Sequence, residues 1–154
     1  MASTTFSGPV TSTNGFIGNL VGSVTGTATV STLAAASTLT AAQSGTTFFL
    51  SAATEFATTL PAPAAGLVYT FIVGAAPSGA SYTIVTGSSA NIIVGQAVNA
   101  AGAAGDTGTA DDTISFVDGQ AVAGDMVTVI SDGTSWFAKG VCAVAAGITF
   151  TQAS

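Results

Sequence analysis

The sequence predicts an all-β fold, a small antiparallel sandwich or jelly-roll-like domain that follows an extended N-terminal arm. Nine short runs between residues 46 and 154 are rich in Val, Ile, Thr, Phe and Tyr, the residue types enriched in β-strands. Gly, Pro, Asp, Asn and Ser separate these runs at a spacing that suits a sandwich or jelly roll. No part of this region has a convincing helical period. The nine predicted strands are TTFFL, EFATTL, GLVYTFIV, SYTIVT, NIIVGQAV, DTISFV, DMVTVIS, TSWFAKGV and GITFTQ.

Two further zones precede this β-rich domain of residues 46–154. Residues 1–19 are rich in Ser, Thr and Gly and have too few apolar side chains for a core of their own, so they predict an extended arm that lies on a partner. A frayed terminus is the alternative. In residues 20–45, Val24, Ala28 and Val30 alternate with Thr or Ser, which indicates a short strand or a linker. An Ala run within this zone would also allow a short helix.

The sharpest local prediction is a hairpin at Asp132-Gly133. Asp-Gly between two strands favours a two-residue type I′ turn, because Gly accepts a positive φ. Trp136 then shares one face with Val129 and Val127. The predicted register pairs Ser131 with Thr134, Ile130 with Ser135, Val129 with Trp136, and Thr128 with Phe137.

Large apolar side chains within the predicted strands are the expected core and subunit-packing residues. An aromatic surface for nucleic acid would be interleaved with basic residues, which this chain lacks. The residues assigned to core or trimer packing are Phe71, Phe116, Val129, Trp136, Phe137 and Phe150.

Charge composition excludes most catalytic and nucleic-acid functions. The 154 residues include one Lys, no Arg and no His, and only 5% are charged, against about 25% in an average soluble domain. His is the commonest general base, and Lys and Arg contact phosphates. We therefore expect neither an enzyme nor a cofactor, and no nucleic-acid partner. Cys142 is the single cysteine and has no His to activate it, so we expect a small buried apolar side chain.

Hydropathy indicates a subunit of an assembly. The mean hydropathy is +0.67, and no charge occurs between Glu55 and Asp106. The most apolar stretch, Leu60 to Pro77, contains Pro and Gly and reads as a strand, so we expect no membrane partner. We also expect no signal peptide at the N-terminus. A monomer with this composition would expose a large apolar surface to water, so we expect an oligomer.

Two polar segments are candidate ligand sites. The segment GDTGTADD could bind Ca²⁺ through Asp106, Asp111 and Asp112, although it lacks the spacing and the bidentate Glu of an EF-hand. We expect instead no metal, and a solvated loop there. The overlapping GQAVNAAGAAGDTG lacks the Lys-Ser/Thr ending of a phosphate loop and predicts a flexible loop.

The order of several segments resembles a family of phage proteins. TTFSGPVTSTNGFIGN looks like the N-terminus of phage structural proteins, and the series TLPAP, YTFIV, SANIIVG, DTISFVDGQAVAGDMVTVISDGTSWFAKG and AAGITFT resembles the small head-decoration, or cement, proteins of tailed phages, notably marine ones. Together these segments cover most of the chain. The SDGTSWF segment and the GSVTGTATV repeat are also similar to phage fibre sequences.

The resemblance implies a homotrimer on the outer capsid surface of a virion. Such a protein is made in the host cytoplasm and ties neighbouring subunits of the major capsid protein together. The arm matches the part that would lie on the capsid, and its contact residues would be Phe6, Pro9, Val10, Phe16 and Ile17. The alternative is a tail-fibre or spike tip that binds a host receptor or glycan.

Overall fold

Two β-sheets packed face to face make up the computed structural model, which describes residues 28–52, 54–100 and 104–152. The all-β sandwich prediction is therefore confirmed, and within these residues the helical elements are two three-residue 3-10 turns, at Ala41–Gln43 and Gly87–Ser89. The strands are β1 (Val30–Leu33), β2 (Ser37–Thr38), β3 (Thr47–Leu50), β4 (Phe56–Thr59), β5 (Val68–Val73), β6 (Tyr82–Val85), β7 (Ile93–Asn99), β8 (Ala104–Asp111), β9 (Thr113–Phe116), β10 (Met126–Ser131), β11 (Trp136–Cys142) and β12 (Ile148–Thr151).

The chain alternates between the two sheets through its first seven strands. The seven-stranded sheet has the order β1-β3-β5-β10-β11-β7-β8, and the five-stranded sheet has the order β12-β9-β6-β4-β2. Because β1, β3 and β5 enter one sheet from successive crossings, they pair parallel, and β2, β4 and β6 do so in the other. The sandwich is as predicted, but its sheets are mixed rather than antiparallel, because strand spacing alone cannot distinguish a hairpin from a crossing between sheets.

The core lies between the sheets and is aromatic. Of the predicted packing residues, Phe71, Phe116, Val129, Trp136 and Phe150 are buried there. Phe137 is not part of the core: its side chain is 43% exposed because it points away from the other sheet, one position along β11 from Trp136, so for this residue only the trimer-packing alternative stays a prediction. Rings of neighbouring strands contact each other in the pairs Phe48–Phe71, Phe48–Tyr69 and Phe56–Tyr82, and Tyr69 of β5 contacts Trp136 of β11 across β10.

The β10–β11 hairpin exists, but its register differs from the predicted one by two residues. Ser131, the last residue of β10, pairs with Trp136, the first of β11. The Asp132 carboxylate accepts hydrogen bonds from the backbone N–H groups of Thr134 and Ser135, both 2.8 Å long, which keeps four residues in the loop. A two-residue shift leaves each side chain on its predicted face, because side chains alternate with a period of two. Trp136 therefore still points inward.

Strand β8 forms where a loop was expected. Ala104–Asp111 pairs antiparallel with β7 and closes one end of the seven-stranded sheet, so both loop predictions are wrong over these residues. Gly108 lies so close to Phe150 of β12 that an added Cβ would be 2.8 Å from the Phe150 Cβ. Gly and Asp are unfavourable in strands, but here the close approach of β8 and β12 requires a glycine.

The described part of residues 20–45 belongs to the sandwich. Strands β1 and β2 form one outer edge of each sheet, which agrees with the short-strand alternative. Ala41–Gln43 forms a single 3-10 turn, capped by reciprocal contacts of Thr40 and Gln43. The predicted arm, residues 1–19, lies outside the described residues.

Candidate docking surface

The outer face of the seven-stranded sheet carries two rows of apolar side chains. Cross-strand pairing brings side chains of adjacent strands into line, so the rows run across the sheet. One row contains Val68, Ile130, Phe137 and Val94. The other row contains Phe49, Ile72, Met126, Val141 and Val98. We call these nine residues, with the polar row between them, the apolar face.

Several of these side chains are substantially exposed. The exposed fraction is 50% for Ile130, 47% for Val141 and 43% for Phe137. Single exposed apolar residues are normal on a protein surface, but a contiguous set indicates an interaction site. At about 4.8 Å per strand, the longer row, which crosses five strands, extends about 19 Å. The face is thus broad enough to bind another protein surface.

A polar row separates the two apolar rows and contains the single cation of the chain. Its members, from β3 to β7, are Thr47, Thr70, Thr128, Lys139 and Gln96. The hydroxyl oxygens of Thr70 and Thr128 are hydrogen-bonded at 3.0 Å. Lys139 is exposed, between Thr128 on β10 and Gln96 on β7.

The outer face of the five-stranded sheet has a different composition. Its outward positions are mostly hydroxyl side chains, in the two rows Thr149, Ser115, Thr83, Ala57 and Thr151, Thr113, Val85, Thr59, Thr38. Thr suits a solvated strand face, because its branched side chain packs on the pleat and its hydroxyl remains hydrated. The two sides of the sandwich therefore differ in polarity, and the seven-stranded side is the one that suits a protein partner.

The apolar face was not predicted from the sequence. The sequence does contain a pattern that indicates it. In β10 and β11, the segments MVTVIS and SWFAKGV have large apolar residues at adjacent positions, as strands covered on both faces do. The predicted contact residues of the arm, Phe6, Pro9, Val10, Phe16 and Ile17, lie outside the described residues and stay a prediction.

The three carboxylates of the calcium alternative do not form a cation site. One oxygen of Asp106 accepts the backbone N–H of Phe150 at 2.7 Å, which ties β8 to β12. Asp112 is buried and accepts the hydroxyl of Thr113. Within residues 28–52, 54–100 and 104–152, no three His, Cys, Asp or Glu side chains are grouped so as to hold a metal ion.

A buried carboxylate and the single thiol lie together at one end of the sandwich. Asp125 accepts backbone N–H groups from Val122 at 3.0 Å and Ala143 at 2.8 Å, so it joins two loops. Cys142 is buried, as expected, and its thiol contacts the carbonyl oxygen of Val98. Burial raises the pKa of the Cys142 thiol, which disfavours the reactive thiolate. Asp125 therefore holds the loops at this end of the sandwich together, and Asp125 and Cys142 are not a reactive site.

An open cleft of about 450 Å³ lies beside β4 and β6. Its lining residues are Glu55, Phe56, Ala57, Ala80, Ser81 and Thr83. Glu55 is the only ionisable side chain among them, so the cleft lacks the pair of carboxylates that glycoside hydrolysis requires.

Comparison with known proteins provides no family for this chain. No protein-family model matches it, and a search of curated proteins finds no significant match. None of the helices in the described residues has the length and apolar character needed to cross a membrane.

Proposed function

We propose that the protein is a structural virion component that decorates the outside of a phage head and joins neighbouring subunits of the major capsid protein. One observation supports this proposal above all: the broad apolar face of the seven-stranded sheet, which contains one charge. Removing its exposed Ile, Phe and Val side chains from water is favourable by about 25 cal/mol per Å² of apolar area. A protein that uses this face can remain attached without an electrostatic surface.

Binding of the protein to the assembled capsid would stabilise the capsid by thermodynamic linkage. A ligand that binds the assembled capsid and not its separated subunits shifts the equilibrium toward the assembled form. A homotrimer, as the resemblance implies, would contact the capsid at several equivalent places, and each site would add to the avidity. In this proposal the apolar face and the N-terminal arm together contact the major capsid protein.

The tail-fibre alternative receives less support from the geometry. A sugar-binding tip commonly offers an exposed aromatic ring for stacking, and the tail-fibre alternative assigns that role to Trp136; the exposed rings Phe49 and Phe137 belong to the apolar face. The Trp136 side chain is fully buried between the sheets. The cleft beside Glu55 provides no exposed ring either, because Phe56 is buried.

A reconstitution experiment tests the proposal. Phage heads from a genome that lacks this gene are mixed with the purified protein, and the bound copies are quantified on gels. We expect hundreds of copies per head for the unmodified chain, whereas a handful would identify a fibre component.

Matched variants test whether the apolar face does the binding. Ile130→Asp places a charge on this face, and Val85→Asp makes the same kind of change on the outer face of the other sheet. Ile130→Asp should abolish attachment, and Val85→Asp should preserve it. Sedimentation of the same samples reports the oligomer: we expect a trimer, and a stable monomer would contradict that part of the proposal. A trimer that dissociates in Ile130→Asp would instead assign the face to contacts between copies.

A further inference from the structure

Lys139 lies well inside the apolar face. Its strand, β11, is fifth of the seven, so β7 and β8 separate it from the nearer sheet edge. Two strand spacings amount to about 10 Å, which is beyond the reach of a lysine side chain. Along β11 the next side chains on the same face are Phe137 and Val141, one from each apolar row. A partner that covers both rows therefore also covers the Lys139 ammonium group.

A covered ammonium group requires an acceptor. Moving an unpaired charge out of water is strongly unfavourable, and hydrogen bonding to an opposite charge offsets most of that cost. Neighbours in the polar row offer only the neutral groups of Thr128 and Gln96. Within the described ranges, no carboxylate of this chain forms an ion pair with Lys139. We therefore expect the acceptor to be supplied by the partner.

We propose that the capsid surface bound by the apolar face presents a carboxylate group directly opposite Lys139, surrounded by apolar side chains. This inference rests on the proposed function and deepens it, since it specifies the chemistry of the partner. The apolar rows then provide most of the contact area, and the single ion pair fixes where and in which orientation the protein binds. Charge pairs at interfaces act in this way, setting specificity more than affinity.

The same charge argues against two other occupants. A second copy placed face to face about a two-fold axis through Lys139 would bring two ammonium groups together without an acceptor; a copy that presents a different, acidic surface, as a trimer could, is distinguished by the sedimentation measurement below. Residues 1–27 of this chain contain no Asp or Glu, so the N-terminal segment has no carboxylate side chain to offer. A foreign surface that carries a carboxylate satisfies both the apolar rows and the cation.

The test compares three variants of the full-length chain on heads that lack this protein. Lys139→Met keeps the length and apolar stem and removes the charge. Lys139→Arg keeps the charge. Ser115→Glu, in the middle of the other sheet's outer face, gives the same net charge as Lys139→Met and serves as its control. Binding is titrated at fixed ionic strength, and the melting temperature of each variant is measured in parallel.

The expected order of affinity for phage heads follows from removing Lys139, one partner of the proposed ion pair, from an interface that excludes water. Lys139→Met should bind about thirtyfold or more weakly, and its residual binding should depend less on salt. Lys139→Arg should remain within about tenfold of the unmodified chain, and Ser115→Glu within about threefold. All three should melt within a few degrees of the unmodified protein.

The outcomes separate this inference from the proposed function. If the unmodified protein decorates heads and Lys139→Met binds equally well, the inference is overturned and the function stands. If the unmodified protein does not bind heads at all, both are overturned. If Lys139→Met changes the sedimentation of the free protein rather than its attachment to heads, the occupant of the face is a second copy, and the capsid carboxylate is excluded.

Discussion

Ser131 lies directly opposite Trp136 at the closed end of the β10–β11 hairpin. The backbone N–H of Trp136 donates to the carbonyl oxygen of Ile92, and that of Ser131 donates to the carbonyl oxygen of Leu67. These bonds hold the indole ring in the core, where it contacts the Tyr69 ring at a centroid distance of 5.8 Å. The indole N–H has no hydrogen-bond partner among the described residues. Trp136 therefore stabilises the fold through packing.

Truncating Trp136 should destabilise the protein strongly. Trp136→Ala should reduce the free energy of unfolding by about 3–5 kcal/mol, because it leaves a large cavity between the sheets. Trp136→Phe should cost much less, since it refills most of that space and removes an unsatisfied N–H. Urea denaturation of both variants measures the difference. Unchanged stability in Trp136→Ala, with loss of adsorption to host cells, would instead favour the tail-fibre alternative.

Removing the Asp125 carboxylate should loosen one end of the sandwich. The carboxylate accepts the N–H groups of Val122 and Ala143, and hydrogen bonds to a charged group are worth about 1.5–3 kcal/mol each. We expect Asp125→Ala to lower the free energy of unfolding by about 2–4 kcal/mol. Asp118→Ala is the matched control, because it removes the same charge and the Asp118 side chain accepts no hydrogen bond from the described residues. Equal unfolding curves for the two variants would contradict this prediction.

The loop after β10 should contribute a pH-dependent increment of stability. Backbone N–H groups of Ser135 and Thr134 hold the pKa of Asp132 below its ordinary value. A carboxyl whose pKa is lower in the folded state stabilises the fold above its unfolded pKa and loses that contribution as the pH falls through the folded pKa. The melting temperature of the unmodified protein should therefore exceed that of Asp132→Asn at neutral pH. The gap should close in acid; a gap that is constant with pH would show that the charge is irrelevant.

Deleting residues 2–19 should affect attachment and not folding. Every residue of the hydrophobic core described here lies between Leu39 and Phe150, so the truncated chain keeps the whole core. We expect its melting temperature to stay near that of the full chain, while occupancy on phage heads falls. Phe6→Ala and Phe16→Ala should each weaken attachment in part, since burying one Phe is worth about 1.5–3 kcal/mol. Normal decoration by the truncated chain would refute the role of the arm.

The sequence by itself determined nine of the ten strands that follow residue 46, all except β8, and the inward face of the β10–β11 hairpin. Runs such as LVYTFIV and DTISFV have the β-branched and aromatic composition of strands, and a period of two places Trp136 and Val129 inward whichever register the hairpin adopts. Local chemistry was sufficient for these predictions, because propensity and alternation depend only on neighbours along the chain.

Only the tertiary structure decided which strands pair and which outward-facing side chains form a common surface. A short connection looks the same in sequence whether it turns back within one sheet or crosses to the other, so the parallel pairing of β1, β3 and β5 was not predictable. Ala104–Asp111 becomes a strand because β7 and β12 lie on either side of it, against its own propensity. Ile130, Phe137 and Val141 form one surface with Lys139 because pairing aligns residues that are distant along the chain, and no pattern within a single strand records which strands are neighbours.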